Sequence, residues 1–310
     1  MTRPFRFALS LGEFTDPTEV IAAARKAEDL GYAGVAMPDH LDGQFAPFPV
    51  LTAAAAATTT LTLTTLVLGN DYRHPAFVAQ EAATLDLLSG GRLELGIGAG
   101  WMRSDYDQAG MAYEQPSVRI ARLAESVSVI KGLMADGPYS FRGEHYQITE
   151  LDGFPKPHQR PHPPFLIAGG GPKILALAGR EADIVGLNPG LAAGVIDERA
   201  GATATPAATD EKLAWVKEAA GDRFDTIELQ TRVHLALITD DREGTAEALA
   251  PALGLTAADA LGTPHALVGT VEQCIETVQG WRERWGISYV SFTADAMDTM
   301  APVVARLAGT

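Results

Sequence analysis

The sequence predicts a TIM-type (β/α)8 barrel built as a single domain over residues 1–310. Three observations carry that reading. Short apolar runs alternate with longer runs at helical spacing, the strand-like runs reach eight, and no break in composition divides the chain. The first strand also lacks polar alternation, as a parallel strand covered on both faces does. A doubly wound open sheet would give a similar string, and the eight repeats favour closure into a barrel.

Taken in order, residues 5–11 form the first strand. The first helix opens on Asp16 as N-cap, with Pro17 at the first helical position and Glu19 three residues after the cap. Its apolar face is Val20, Ala24, Ala27 and Leu30, and Gly31 stops it. Residues 35–38 are the second strand, 50–58 a helix and 61–68 the third strand. A helix over 77–88 closes on Gly90 and Gly91, and 93–97 is the fourth strand. From Pro116 a long helix repeats Ile120, Leu123, Val127, Ile130 and Leu133 at steps of three and four. Residues 139–148 alternate like a hairpin, with Arg142 and Gly143 at the turn. Five prolines between 155 and 164 make a stiff connector. The fifth strand is 165–168, a helix begins over 174–178, and 183–187 is the sixth strand. The segment 189–209, rich in Ala, Gly and Thr, reads as a long mobile loop. A helix over 213–220, a seventh strand over 227–238, a helix near 245–253, another from Thr270, a strand over 287–292 and a terminal helix to Leu307 complete the chain.

Composition narrows the function. Apolar residues are 46% of the chain and charged residues 20%, ample for a packed core. Acidic residues outnumber basic ones 39 to 24, for a formal charge of −15, which argues against nucleic acid and anionic membrane as partners. No run approaches the length of a membrane span, and the first residues lead straight into a strand, so a cytoplasmic protein is expected. The single cysteine, Cys274, lies on a helical apolar face with Val271, Ile275 and Val278 and reads as a core residue.

In a barrel the functional residues follow the strands. After the second strand stand Asp39 and His40; after the third, Gly69, Asn70 and Asp71; after the fourth, Gly98, Ala99, Gly100 and Trp101. After the fifth, Gly169, Gly170 and Gly171 precede Pro172 and Lys173 at a helix start. Glycines there let the backbone approach a phosphate and leave helix amides free for it, or they serve only a tight turn. Gly96, Gly98 and Gly100 bare one face of a strand end, for a flat ring or for close strand packing. An imidazole can titrate near neutrality, so His40 at a strand end is a candidate general acid; elsewhere a lone histidine is usually structural. His158 and His162 sit among prolines and read as connector residues, so no metal site is expected. Asp86 and Arg92 could pair around the turn at Ser89, Gly90 and Gly91. No pair of opposed carboxylates stands at the strand ends, which ranks a glycosidase-like hydrolase last.

Together, Asp39–His40, Arg73–His74–Pro75, the run Ala83 to Leu93 with its Leu-Asp-x-Leu-Ser-x-Gly-Arg-Leu core, Gly96 to Trp101 and Gly169 to Gly171 resemble the bacterial luciferase-like monooxygenase superfamily, nearest its F420-dependent oxidoreductases. The resemblance covers nearly the whole chain. It implies a luciferase-like barrel with insertions after its strands and a deazaflavin, coenzyme F420, or alternatively FMN, at the strand C-termini. It implies that Asp39 contacts the deazaflavin head and His40 donates a proton. Leu68, Gly69 and Asn70 would lie in a stretch from Leu66 that often holds a non-proline cis peptide under the ring. Ala99, Gly100 and Ser104 would contact the cofactor, and Ala168, Gly169, Gly170 and Gly171 its phosphate side. Phe14 and Trp101 would line the substrate pocket. Trp101 stands where sugar-phosphate-oxidising relatives carry a glutamate, so an apolar or planar substrate is expected instead. The functions that follow are hydride transfer between F420 and a small organic molecule, an FMN-dependent monooxygenase with a reductase partner, or flavin binding without turnover. A homodimer is expected.

Overall fold

The computed structural model describes residues 3–195 and 198–310. Eight parallel strands form the barrel: β1 (Arg6–Ser10), β2 (Gly34–Met37), β3 (Thr62–Thr65), continued after a break by β4 (Leu68–Gly69), β5 (Leu93–Gly98), and then, after the hairpin β6 (Tyr139–Arg142) and β7 (Gln147–Leu151), the strands β8 (Phe165–Gly169), β9 (Ile184–Leu187) and β10 (Glu228–Arg232). Two strands outside the barrel follow, β11 (Leu235–Ile238) and β12 (Ala266–Gly269), and the barrel's last strand is β13 (Ile287–Phe292). Neighbours run β3-β2-β1-β13-β10-β9-β8-β5, and pairing of Leu63 with Leu93 and Thr64 with Glu94 closes the ring. Strand residues such as Phe7, Leu9, Val35, Leu63, Leu95 and Ile167 are wholly buried, which is why the strands read as unbroken apolar runs.

The layer outside consists of α1 (Pro17–Asp29), α2 (Pro47–Ala57), α3 (Pro75–Ser89), α4 (Arg103–Ala109), α5 (Pro116–Met134), α6 (Pro172–Glu181), α7 (Glu198–Ala202), α8 (Pro206–Ala220), α9 (Arg242–Leu249), α10 (Ala257–Gly262), α11 (Val271–Trp285) and α12 (Met297–Leu307). Local signals set many of the boundaries. Asp16 caps α1 through the Thr18 amide, at 2.7 Å, and Gly90 ends α3 in the left-handed region. The hairpin turn is tied down by Glu125, whose carboxylate accepts from the amides of Glu144, His145 and Tyr146.

Three expectations need correction. The apolar run 227–238 is two strands, not one: β10 belongs to the barrel, while β11 leaves it to pair in parallel with β12, a strand the sequence reading missed. Both halves are apolar enough to read as one run, and only tertiary pairing separates them. The segment 189–209 holds α7 and the start of α8, capped by Thr205 and opened by Pro206; residues 196 and 197 of it lie outside the described residues. Asp86 and Arg92 do not pair. Asp86 accepts from the Gln159 amide and side chain, and Arg92 donates to the carbonyls of Ala55, Leu61 and Ser89. Cys274 is buried, as its helical position predicts. Among the described residues, no helix is long and apolar enough to cross a membrane.

Candidate active site

A cavity of about 880 Å3 lies at the C-terminal mouth of the barrel. Its wall comes from the segments that follow β2, β3, β5, β8, β9 and β10, where a barrel keeps its functional groups. Of the residues expected at a site, Asp39, His40, Leu68, Gly69, Ala99, Gly100, Trp101, Ala168, Gly169, Gly170 and Gly171 all stand on this wall.

His40 is held from behind. Its Nδ1 lies 2.8 Å from Oδ2 of Asp105, a buried carboxylate in the first turn of α4. The same oxygen accepts from the Tyr72 hydroxyl at 3.0 Å, and the other accepts from the Leu41 amide at 3.2 Å. Burial, reinforced by Asp105, pushes the Tyr72 phenol well above its ordinary range, so it stays protonated and can only donate here. A carboxylate at Nδ1 fixes a proton on that nitrogen. Nε2 is then the nitrogen left for a ligand: an acceptor when the ring is neutral, a donor when it is charged. Trp101 meets the imidazole edge to face, with centroids 5.6 Å apart, and narrows the ways the ring can turn.

Asp39 is committed differently. Both its oxygens receive the Arg73 guanidinium, at 2.6 and 2.9 Å, and Oδ2 also receives the Gly69 amide at 2.9 Å. The carboxylate is buried and ion-paired, so it braces the turn after β4. The break between β3 and β4 contains a cis peptide bond between Leu66 and Val67, in the stretch where the family resemblance pointed.

The glycines have several jobs. A Cβ on Gly96 would collide with the Thr65 carbonyl, so that glycine serves strand packing. Gly98 faces Val67 in the same way, and Gly100, at φ +72°, sits against the Tyr106 hydroxyl. A Cβ on Gly169 would meet Ile174, and one on Gly170 would meet the backbone of Pro189. Gly171 alone of that run has open space around it. It is the N-cap of α6, no side chain caps the helix, and it borders the cavity. The amides after Pro172 are therefore the free donors of this wall. Beneath the strand end after β5, Arg119 is buried and donates to the carbonyls of Ala99, Gly100 and Glu114, with its guanidinium 4.1 Å above the Tyr113 ring.

Four expected residues stand off the wall. Ser104 is exposed on the first turn of α4, and Lys173 is exposed on α6. Asn70 is buried with its amide toward the Tyr146 hydroxyl, and Phe14 packs against the core after β1. Wall or support residues that escaped the sequence reading include Gln44, Tyr72, Asp105, Arg119, Arg232, His234 and His265. Asp105 gave a faint signal, an acid in the first turn of a helix after a glycine-rich strand end. Arg232 and His234 lie in the run taken as one strand, and His265 precedes β12, the strand that was missed, so no strand end marked them.

The geometry defines a (β/α)8 barrel with an oriented imidazole, a deep cavity and a free helix N-terminus at one mouth. Comparison with known proteins gives the lineage: residues 2–289 match the family model described as luciferase-like monooxygenase, and the chain belongs to that family. The F420-dependent glucose-6-phosphate dehydrogenase of Amycolatopsis mediterranei is 33% identical over 175 residues, 54% of this chain and 52% of that protein. The protein of the same description from Nakamurella multipartita is 32% identical over 246 residues, 76% of this chain and 69% of its own. The chain thus spans about half the length of the first of these relatives. In structure it resembles the coenzyme F420-dependent tetrahydromethanopterin reductase of Methanopyrus kandleri, with TM-score 0.79 and 20% identity, over 98% of this chain and 100% of that one. An F420-dependent secondary alcohol dehydrogenase in complex with an F420-acetone adduct gives the same score and identity, over 98% and 99% of the two chains. At those identities the likeness concerns the fold.

Proposed function

We propose that this protein is an oxidoreductase that uses the deazaflavin coenzyme F420 and a small organic substrate. The observation that carries the proposal is the His40–Asp105 pair on the wall of a cavity large enough for a ring system and a substrate together. Relatives described as F420-dependent support the choice of cofactor.

The residues present suit such a group. Leu66, Val67 and Leu68 give the wall an apolar strip beside the end of β5, and the open space at Gly171 leaves the α6 amides able to meet an acidic group. Gln44 Oε1, buried on the same wall without a partner, seeks a ring or ligand N–H. When bound, the cofactor supplies hydride donation or acceptance. Asp39, through Gly69, and Arg119, through Ala99 and Gly100, keep the two adjoining backbone turns in place. Trp101 keeps water from one side of His40. His40 moves the proton at Nε2: the charged ring gives it up when the substrate is reduced, and the neutral ring takes it when the substrate is oxidised. Asp105 holds the ring in register through its hydrogen bond to Nδ1. Trp101 offers no carboxylate, so sugar-phosphate oxidation of the kind named for the relatives is not expected here.

A second reading, an FMN-dependent monooxygenase with a reductase partner, is favoured by the family's description. Side-by-side titration of the purified protein with F420 and FMN separates the two. Tighter F420 binding is expected, and tighter FMN binding would reverse the assignment. A cytoplasmic location and a homodimer accompany the proposal; sedimentation in solution tests the dimer.

A further inference from the structure

We infer that Arg232 and His234 form an acid-binding subsite in the cavity, suited to a substrate with an apolar body and a single carboxylate. That the acid is a substrate rests on the oxidoreductase reading; that the subsite binds an acid does not.

Arg232 ends β10 and lines the cavity. Its Nη2 makes one long contact, 3.4 Å, to Glu13, a carboxylate on the rim with 45% of its side chain exposed. Its Nε is buried and has no partner at all. A mostly buried guanidinium with five donors is costly to leave so thinly paired. Burial lowers its proton affinity, and Glu13 only partly opposes that. The other guanidinium on the wall, Arg119, is already spent on carbonyls and on Tyr113. Arg232 is therefore the cation with donors to spare among the described wall residues.

Its neighbours set the charge of the ligand. His234, an exposed residue, lines the cavity two residues beyond Arg232. Desolvation, with Arg232 adding to it, pulls its pKa down to about 4. His265 stands beside it, with ring centroids 6.1 Å apart, and is pulled down to about 3. Its Nδ1 lies 3.1 Å from the Arg232 carbonyl, so that nitrogen carries the proton, and its Nε2 is buried and unpartnered. Both rings are neutral at ordinary pH, and Arg232, facing Glu13 at the rim, is the cation of the subsite. A single planar guanidinium matches a carboxylate, whereas a phosphate dianion would leave one charge uncompensated against this wall. The rest of the wall, with Leu66, Val67, Trp101, Ile174, Leu191 and Leu255, suits an apolar body.

The test is calorimetric titration of the intact protein, with and without saturating F420, using 3-phenylpropanoate, 3-phenylpropanamide and glucose 6-phosphate as probes. The acid should bind about tenfold or more tighter than the amide, and glucose 6-phosphate should bind more weakly than the acid. Arg232→Met should abolish the preference for acid over amide, and Arg232→Lys should keep part of it. Glu13→Gln, which removes the competing carboxylate, should strengthen acid binding; this variant and Arg232→Lys carry the test if Arg232→Met does not fold. The His234 ring resonances should move with the acid and not with the amide. Equal binding of acid and amide, tighter binding of glucose 6-phosphate, or an unchanged preference in Arg232→Met would overturn the subsite. So would a loss of F420 affinity of about tenfold in Arg232→Met, since that would assign Arg232 to an acidic group of the cofactor. Failure of F420 to bind the unaltered protein, with the acid preference intact, would remove the oxidoreductase reading and leave the subsite standing.

Discussion

The two sides of the cavity are finished to different degrees. On the side of β2, β4 and β5 the charged groups are paired, His40 with Asp105, Asp39 with Arg73 and Gly69, Arg119 with three carbonyls, and Gln44 Oε1 is the buried acceptor left over among the described residues there. On the side of β10 and β12, Arg232 Nε and His265 Nε2 lack partners and Arg232 has one distant carboxylate. A paired wall is rigid before any ligand arrives, which is what proton transfer and ring placement need. An unpaired wall gains most when a ligand arrives, which is what discrimination between ligands needs. The contrast fits the proposed proton transfer on one wall and the proposed acid subsite on the other.

Four substitutions break or sharpen that contrast. The largest effect is expected for His40→Ala, which should lower single-turnover rates by about a hundred- to ten-thousand-fold while F420 affinity stays nearly constant; a parallel loss of binding and rate would make His40 structural. Next, Arg73→Met leaves the Asp39 carboxylate buried and unpaired, and urea denaturation should register a loss of about 3 kcal/mol. Asp39→Asn combined with Arg73→Met should recover much of it, because the stranded charge is then gone.

Asp105→Asn should act more mildly. The amide can still accept from His40 Nδ1, but it holds the ring through an uncharged and weaker hydrogen bond. Single-turnover rates should fall by about tenfold, and an unchanged rate would limit Asp105 to a structural part.

The smallest effect concerns the other wall. The folded pKa of His265, about 3, lies below the ordinary value of 6.5. Between those two values the unfolded chain binds a proton that the folded chain refuses. Stability should therefore be fully present above pH 6.5 and decline as pH falls toward 3. His265→Asn retains a donor toward the Arg232 carbonyl and removes this titration. Its unfolding free energy from urea denaturation should fall less steeply on acidification, by up to about 1 kcal/mol per pH unit; an unchanged slope would show that His265 already takes up its proton in the folded protein.

The finished wall is also the one legible in the sequence. Asp39, His40 and the glycines lie immediately after strands whose apolar runs are sharply bounded, so their place at the mouth follows from the order of elements alone. Asp105 was harder to see because its link to His40 spans 65 residues and no local pattern encodes it. Gly96 illustrates the opposite case: its smallness was plain, but only the Thr65 carbonyl shows that a neighbouring strand is what needs it. Arg232 and His234 were hidden by continuity, and His265 by the missed strand β12. Val233 is wholly buried and sits between two apolar strands, so nothing in the pattern marks the residue at which the chain leaves the barrel.

That departure sets what can change cheaply. The barrel closes through β10 and β13 whether or not β11 and β12 pair, for the two outer strands take no part in the ring. The short outer sheet is in effect a bracket bolted onto a finished frame, carrying His234 just before one strand and His265 just before the other. Substitutions along the bracket can reshape which molecules fit without loosening the frame that holds His40. Drift in ligand preference should accumulate there first, while the wall bearing the proton-transfer pair stays fixed.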